Sequence, residues 1–236
     1  MELPEAGTGS AHVRKHAACV FVLAFVVLSL FSWERDLFDA DEGRYASVAA
    51  NMAASGDWVV PHLNGMPFMD KPPLVYWVQA VPTALFGRTE FFARLPTLLA
   101  GAVWTLMIFL LSCRWTGTRS MAWWGALLAM TSAAGIIGSR VGPQMDMPLA
   151  AAIATALYAS WLSLTEGGRI PQLLLGLAVG CGLLIKGPLV VVVPTLVAAG
   201  WVLAGVPWRG ALRVLFSPWA WGVAILIAAP WYVLVE

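Results

Sequence analysis

The chain has 236 residues, 60% of them apolar and 11% charged, with a formal net charge of +1 and a mean hydropathy of +0.78. Soluble domains run at about 45–50% apolar and about 25% charged, so there is too little polar surface here to coat a water-soluble globule. A soluble enzyme, a disordered chain and a disulfide-stapled secreted domain are excluded, and a near-neutral charge without a basic block gives nucleic acid no electrostatic hold.

Arg14, Lys15 and His16 precede an apolar run from Ala17 to Phe31. The following Ser32-Trp33-Glu34-Arg35-Asp36 offers no small-x-small cleavage site, so the run reads as an uncleaved first span over 17–33 rather than a removed signal. Its basic start anchors a cytoplasmic tail, residues 1–16, and Trp33 marks the far interface. Further apolar runs lie at 73–86, 91–113, 120–139, 145–165, 170–185, 188–203 and 218–235. A spanning helix needs about 20 residues. The 73–86 run is shorter and holds Gln79 and Pro82, which predicts an interfacial or re-entrant segment.

With that segment left out of the count, Arg114, Arg119, Arg169, Arg209 and Arg213 fall inside, and short outer turns hold Arg140 and Lys186. This is the bias of the positive-inside rule. Lys186-Gly187-Pro188 breaks the last long apolar stretch and predicts a tight outer hairpin. The expectation is an all-α, polytopic integral membrane protein of about seven spans. It forms a single transmembrane domain with an external segment over 34–90 and six further spans over 91–236. Cys19, Cys113 and Cys181 sit in apolar runs without CxxC spacing and read as small buried hydrophobes.

The external segment carries the polar chemistry. In Asp39-Ala40-Asp41-Glu42-Gly43-Arg44-Tyr45-Ala46, the positions Tyr45, Val48, Ala49 and Met52 line one face of a helix that ends at Ser55-Gly56-Asp57. Asp41 and Glu42 fall at its start, where carboxylates cap free N–H groups, and capping is one reading of them. Asp70 and Lys71 stand directly before the interfacial stretch. Asp146 lies at the outer end of the fourth span, where a carboxylate is costly and marks a functional candidate; with Pro148 in the first turn, capping again competes. Lys186 could snorkel as an anchor. Together these groups face one cavity, and mixed carboxylates and cations there suit a reaction on an anionic, membrane-borne substrate.

The run DADEGRYASVAANMAASGDWVVPHLNGMPFMDKPPLVYWVQAVPTALFG, then RLPTLLAG, MDMPL and LLIKGPL, resembles the bacterial aminoarabinose transferase and protein O-mannosyltransferase superfamily. These are GT-C class membrane glycosyltransferases that use polyprenyl-phosphate-linked sugars. The resemblance implies a catalytic role for Asp41 with Glu42 as its companion, and for Asp146 as a second acidic position. It implies that Lys71 meets the donor phosphate, and Lys186 matches a lysine of the TKG-like turn. Arg44 and Tyr45, within the same motif as Asp41, join Lys71 and Lys186 as donor-binding residues. Asp70 stands where aminoarabinose transferases carry a metal-binding glutamate, which implies a divalent zinc or magnesium ion and no other cofactor.

Relatives of this kind run to roughly twice the length, with further spans, a soluble C-terminal domain and a later loop that supplies a histidine and an arginine. The chain resembles their N-terminal half, and the expectation is that these residues by themselves do not turn over donor. The implied reaction is inverting sugar transfer from an undecaprenyl-type phosphate to a lipid A-like or protein acceptor. It takes place at the outer face of the bacterial inner membrane. A transporter subunit and a non-catalytic polyprenyl-lipid binder are the competing classes. A transporter would place ionisable groups mid-span and show repeated halves, neither of which is visible here.

Overall fold

A computed structural model describes residues 10–34, 36–37, 40–140 and 145–235. Asp39 and the 142–144 stretch before Asp146 lie outside the described residues. Helix α1 runs over Ser10–Ser29 and α2 over Ala40–Ser55. A minimal hairpin of β1, His62–Leu63, and β2, Met66–Pro67, follows, pairing His62 with Pro67. Then come α3 (Leu74–Phe86), α4 (Glu90–Thr116), α5 (Arg119–Thr131), α6 (Ala133–Arg140), α7 (Asp146–Thr165), α8 (Arg169–Lys186), α9 (Leu189–Leu203), α10 (Trp208–Leu215) and α11 (Pro218–Leu234). The protein is an all-α polytopic membrane protein; the short hairpin is the one β element among the described residues.

Five stretches of the described residues are long and apolar enough to cross a bilayer: His12–Ser29, Glu90–Thr116, Asp146–Thr165, Arg169–Lys186 and Trp208–Leu234. The last passes through α10 and α11. The expected span over 120–139 is α5 and α6 together, bent by 50°. The bend has an identifiable cause. Ser132 Oγ donates to the Ala129 carbonyl and accepts from the Gly135 amide, and a Cβ at Gly135 would approach the Ala129 carbonyl oxygen to 2.2 Å. Counted so, six stretches meet the length of a span where about seven spans were expected. The difference is α9, whose 15 residues reach about 22 Å at 1.5 Å per residue. The first span also sits earlier than expected: α1 begins at Ser10 and ends at Ser29, so it takes in part of the expected tail.

Gly187, at a φ of 77°, turns α8 back into α9 as the Gly-Pro break predicted. A Cβ at Gly182 would fall 2.3 Å from a Val190 methyl, so the two helices touch directly beside the turn. Trp161 of α7 meets Trp201 of α9 at 5.5 Å between ring centroids, which places the far end of α9 beside the far end of α7. Helix α8 also packs along α11, where Gly176 and Gly180 let the backbones approach: a Cβ at Gly176 would reach the Ala220 carbonyl oxygen at 2.4 Å. Small residues at such crossings are the usual means of helix association in membranes.

Helix α3 begins and ends at one end of the bundle. Its N-terminal part packs with Leu183 and Leu184 of α8, and Phe86 stacks on Phe92 at the start of α4 with centroids 5.6 Å apart. The α1 C-terminus, α2, the hairpin, and the starts of α4 and α7 gather at the same end. Trp231 Nε1 of α11 donates to the Val59 carbonyl at 2.8 Å, which pins the segment leading into β1 there. At the opposite end Arg114 pairs with Glu166, and Arg169 lies over the Trp219 ring.

Candidate functional site

The site is built on α2. Its apolar face is the one read from the sequence: Tyr45, Val48, Ala49 and Met52 are all buried, in one cluster with Val75 and Tyr76 of α3, Leu149 of α7, Ile185 of α8 and Val190 of α9. That packing fixes the helix axis and so the position of its first turn.

A second device fixes the first turn itself. Glu42 and Arg94 are both 0% exposed and form a two-point ion pair, with Nε to Oε1 and Nη2 to Oε2 each at 3.2 Å. The same guanidinium donates to the Ser32 and Asp36 carbonyls. One planar side chain of α4 thus joins the end of α1, the connection to α2 and the start of α2. Glu42 was expected to work beside Asp41; instead it points away from solvent into this clamp. The reason is electrostatic, since a carboxylate in an apolar contact needs a matched, multiply bonded cation. Arg94 was passed over in the sequence, although a cation inside an apolar span is itself a signal.

Asp41, one residue earlier, remains half-exposed and lies 3.2 Å from Arg44. Beneath it, Tyr45 and Tyr76 meet with ring centroids 5.7 Å apart. The Tyr45 hydroxyl is pushed up to about 12 by burial first, then by the negative charges of Asp41, Asp70 and Asp146, with Arg44 opposing. Tyr76 is raised too, by burial and then by Tyr45 and Asp70, and its buried hydroxyl has no hydrogen-bond partner among the described residues. Carboxylates from α2, the loop before α3 and α7 therefore surround one pair of phenols.

Each carboxylate holds a cation. Asp70 lies 3.1 Å from Lys71, whose ammonium also donates to the Asp70 carbonyl. Lys186 at the α8 terminus donates to Asp146 at the α7 start. Among the predicted site residues, Asp41, Arg44, Tyr45, Asp70, Lys71, Asp146 and Lys186 come together at one end of the bundle, and Glu42 lies behind them. Ion pairs that are partly solvated hold little net stability, so an incoming phosphate can replace a carboxylate at Lys71 or Lys186 at small cost.

Among the described residues the donor set does not fit a metal. Among the described residues no three His, Cys, Asp or Glu side chains come together in a way that could hold an ion. Asp70 is engaged by Lys71, and His62 Nδ1 lies 2.9 Å from the Val60 carbonyl and 3.8 Å from Asp57.

Comparison with known proteins identifies the family. Residues 13–236 match the model of the dolichyl-phosphate-mannose-protein mannosyltransferase family. An undecaprenyl phosphate-alpha-4-amino-4-deoxy-L-arabinose arabinosyl transferase of Pseudomonas paraeruginosa is 35% identical over 230 residues, covering 92% of this chain and 40% of the relative. The protein of the same name from Erwinia tasmaniensis is 31% identical over 221 residues, covering 91% of this chain and 39% of its own length. The crystal structure of ArnT from Cupriavidus metallidurans bound to undecaprenyl phosphate superposes with a TM-score of 0.81 at 30% identity, covering 94% of this chain and 41% of that one. The chain thus spans about two fifths of the length of the relatives it matches. With a family match over nearly its whole length, the chain belongs to the dolichyl-phosphate-mannose-protein mannosyltransferase family of membrane glycosyltransferases.

Proposed function

We propose that this chain supplies the donor-phosphate and carboxylate part of a site that transfers a sugar from an undecaprenyl-type phosphate to an acceptor. The site faces outward from the bacterial inner membrane, with the N-terminus on the cytoplasmic side. The observation that carries the reading is the gathering of Asp41, Asp70 and Asp146 with Arg44, Lys71 and Lys186 around Tyr45 and Tyr76 at one end of the bundle. The names of the relatives support the donor class.

In the reaction an acceptor oxygen attacks the anomeric carbon as the bond from that carbon to the phosphate oxygen breaks. The electron pair leaves on the phosphate, and the configuration inverts in one displacement. Lys71 and Lys186 exchange their carboxylate partners for phosphate oxygens and stabilise the charge that develops there. For a hydroxyl acceptor, on a protein or a lipid, Asp41 takes the proton. For a lipid A-like phosphate, which is already ionised at neutral pH, Asp41 and Asp146 orient the donor, for example through a sugar amine.

Native mass spectrometry of the purified chain with undecaprenyl phosphate tests the donor site. Lys71→Ala and Lys186→Ala should each weaken retention about tenfold, the scale of one charge-assisted hydrogen bond. Retention unchanged in both variants would move the phosphate elsewhere.

A further inference from the structure

A cavity of about 230 Å³ lies behind α2. At 100° per residue, Gly43 and Ser47 of its α2 wall lie on the side of the helix opposite to Tyr45 and Met52, and the wall runs round through Ala46 to Ala49 at the edge of the buried face. These small residues leave the space open, and a Cβ added at Gly43 would meet nothing within 4 Å. The facing wall holds Gln79 of α3, which is 1% exposed. Its Nε2 donates to the Ala93 carbonyl at 2.7 Å. That bond fixes the orientation of the amide, because a carbonyl can pair only with the NH₂ end. Gln79 Oε1 is left as a buried acceptor without a partner among the described residues, at a cavity far larger than the about 10–15 Å³ that one water needs.

Two opposite charges complete the lining, Arg88 and Glu90, and neither forms an ion pair with a described residue. The cavity sits where Glu90 opens a spanning helix. On the same side of α3 as Gln79, Phe86 presents an exposed apolar ring, a surface suited to an acyl chain. An acceptor and a carboxylate call for a cation bearing N–H, and the guanidinium calls for an anion. We infer that this cavity binds the phosphoethanolamine headgroup of a bilayer lipid, with the ammonium on Gln79 Oε1 and Glu90 and the phosphate on Arg88. This lipid site uses Gly43 and Ser47, on the side of α2 turned away from Tyr45 and Met52, and shares none of the charged groups of the Asp41–Lys71 site.

The test is to reconstitute the chain in bilayers of equal parts phosphatidylethanolamine, phosphatidylcholine and phosphatidylglycerol, and to count the lipids retained on extraction. Phosphatidylcholine keeps the charge but has no N–H to donate, and phosphatidylglycerol lacks the cation. Phosphatidylethanolamine should be retained about tenfold over each, the scale of one charge-assisted hydrogen bond. Glu90→Gln and the cavity-filling Ala46→Leu should each abolish that preference, and both keep the Gln79–Ala93 bond that holds α3 to α4. Lys71→Ala should leave it intact, which separates this site from the donor site. Equal retention of the three lipids, or a preference that survives both Glu90→Gln and Ala46→Leu, overturns the inference.

Discussion

Arg94 and Glu42 are the residues on which the site's geometry depends most. Both charges are fully buried, so removing one strands the other. Arg94→Met or Glu42→Gln should each cost about 3–5 kcal/mol, read as a shift in the unfolding midpoint in detergent. The double variant Glu42→Leu with Arg94→Met should recover much of that loss, because no charge is then left unpaired. Single variants within about 1 kcal/mol of the wild type would contradict the clamp.

Tyr45 gives a pH prediction at the same scale. Its native hydroxyl is raised to about 12 by burial and neighbouring carboxylates, against about 10 in an unfolded chain. The native state therefore binds this proton more tightly, and the associated stability is complete below about pH 10 and is lost as pH rises towards about 12. Tyr45→Phe should flatten the fall in stability across that window, measured by thermal unfolding. A fall of the same depth in the variant would locate the titration elsewhere.

The α2 helix was legible in the sequence because its signal is local. An i, i+3, i+4, i+7 set of apolar residues between an acidic start and Ser55-Gly56 specifies both the helix and its buried face, and the same four residues are buried in the fold. The Lys186-Gly187-Pro188 turn was legible for the same reason. The partnership of Glu42 with Arg94 was not, since the two lie 52 residues apart and no spacing rule joins them. Capping and catalysis were the roles open to Glu42 in the sequence, and burial against a distant guanidinium replaced both. The count of spans blurred where a run is apolar but short, as in α9, or bent at a serine, as in α5–α6.

The α8–α11 crossing yields its own prediction. Gly176→Leu would drive a side chain into the Ala220 carbonyl, already 2.4 Å from a bare Cβ. Backbone does not yield as a flexible side chain does, so the cost should be at least the about 1–3 kcal/mol typical of overpacking. Gly222→Ala, where a Cβ meets nothing within 4 Å, is the control and should unfold like the wild type.

Across the whole molecule, the polar groups sort by end. Asp41, Asp70, Asp146 and Lys186 gather where α1 ends and α7 begins, while Arg114 pairs with Glu166 at the other end. With α3 starting and finishing at the Asp41 end, the proposed orientation makes both Ser55 and Arg88 external. Single cysteines at these two positions, in a background lacking Cys19, Cys113 and Cys181, should both react with an impermeant thiol reagent added outside intact cells. Reaction at position 88 only after the membrane is opened would mean that α3 crosses.

The proposed function places sugar transfer at the Asp41 end of this bundle. A chimera in which these residues replace the matching region of the Pseudomonas paraeruginosa relative, assayed with radiolabelled undecaprenyl-phosphate sugar, tests it most directly. Asp41→Asn keeps the volume and the capping capacity of the side chain but removes its charge. The chimera should transfer sugar, and Asp41→Asn should lose that transfer by at least about a hundredfold at unchanged expression. Near-normal turnover in Asp41→Asn would return Asp41 to a helix cap and rule out its role in transfer.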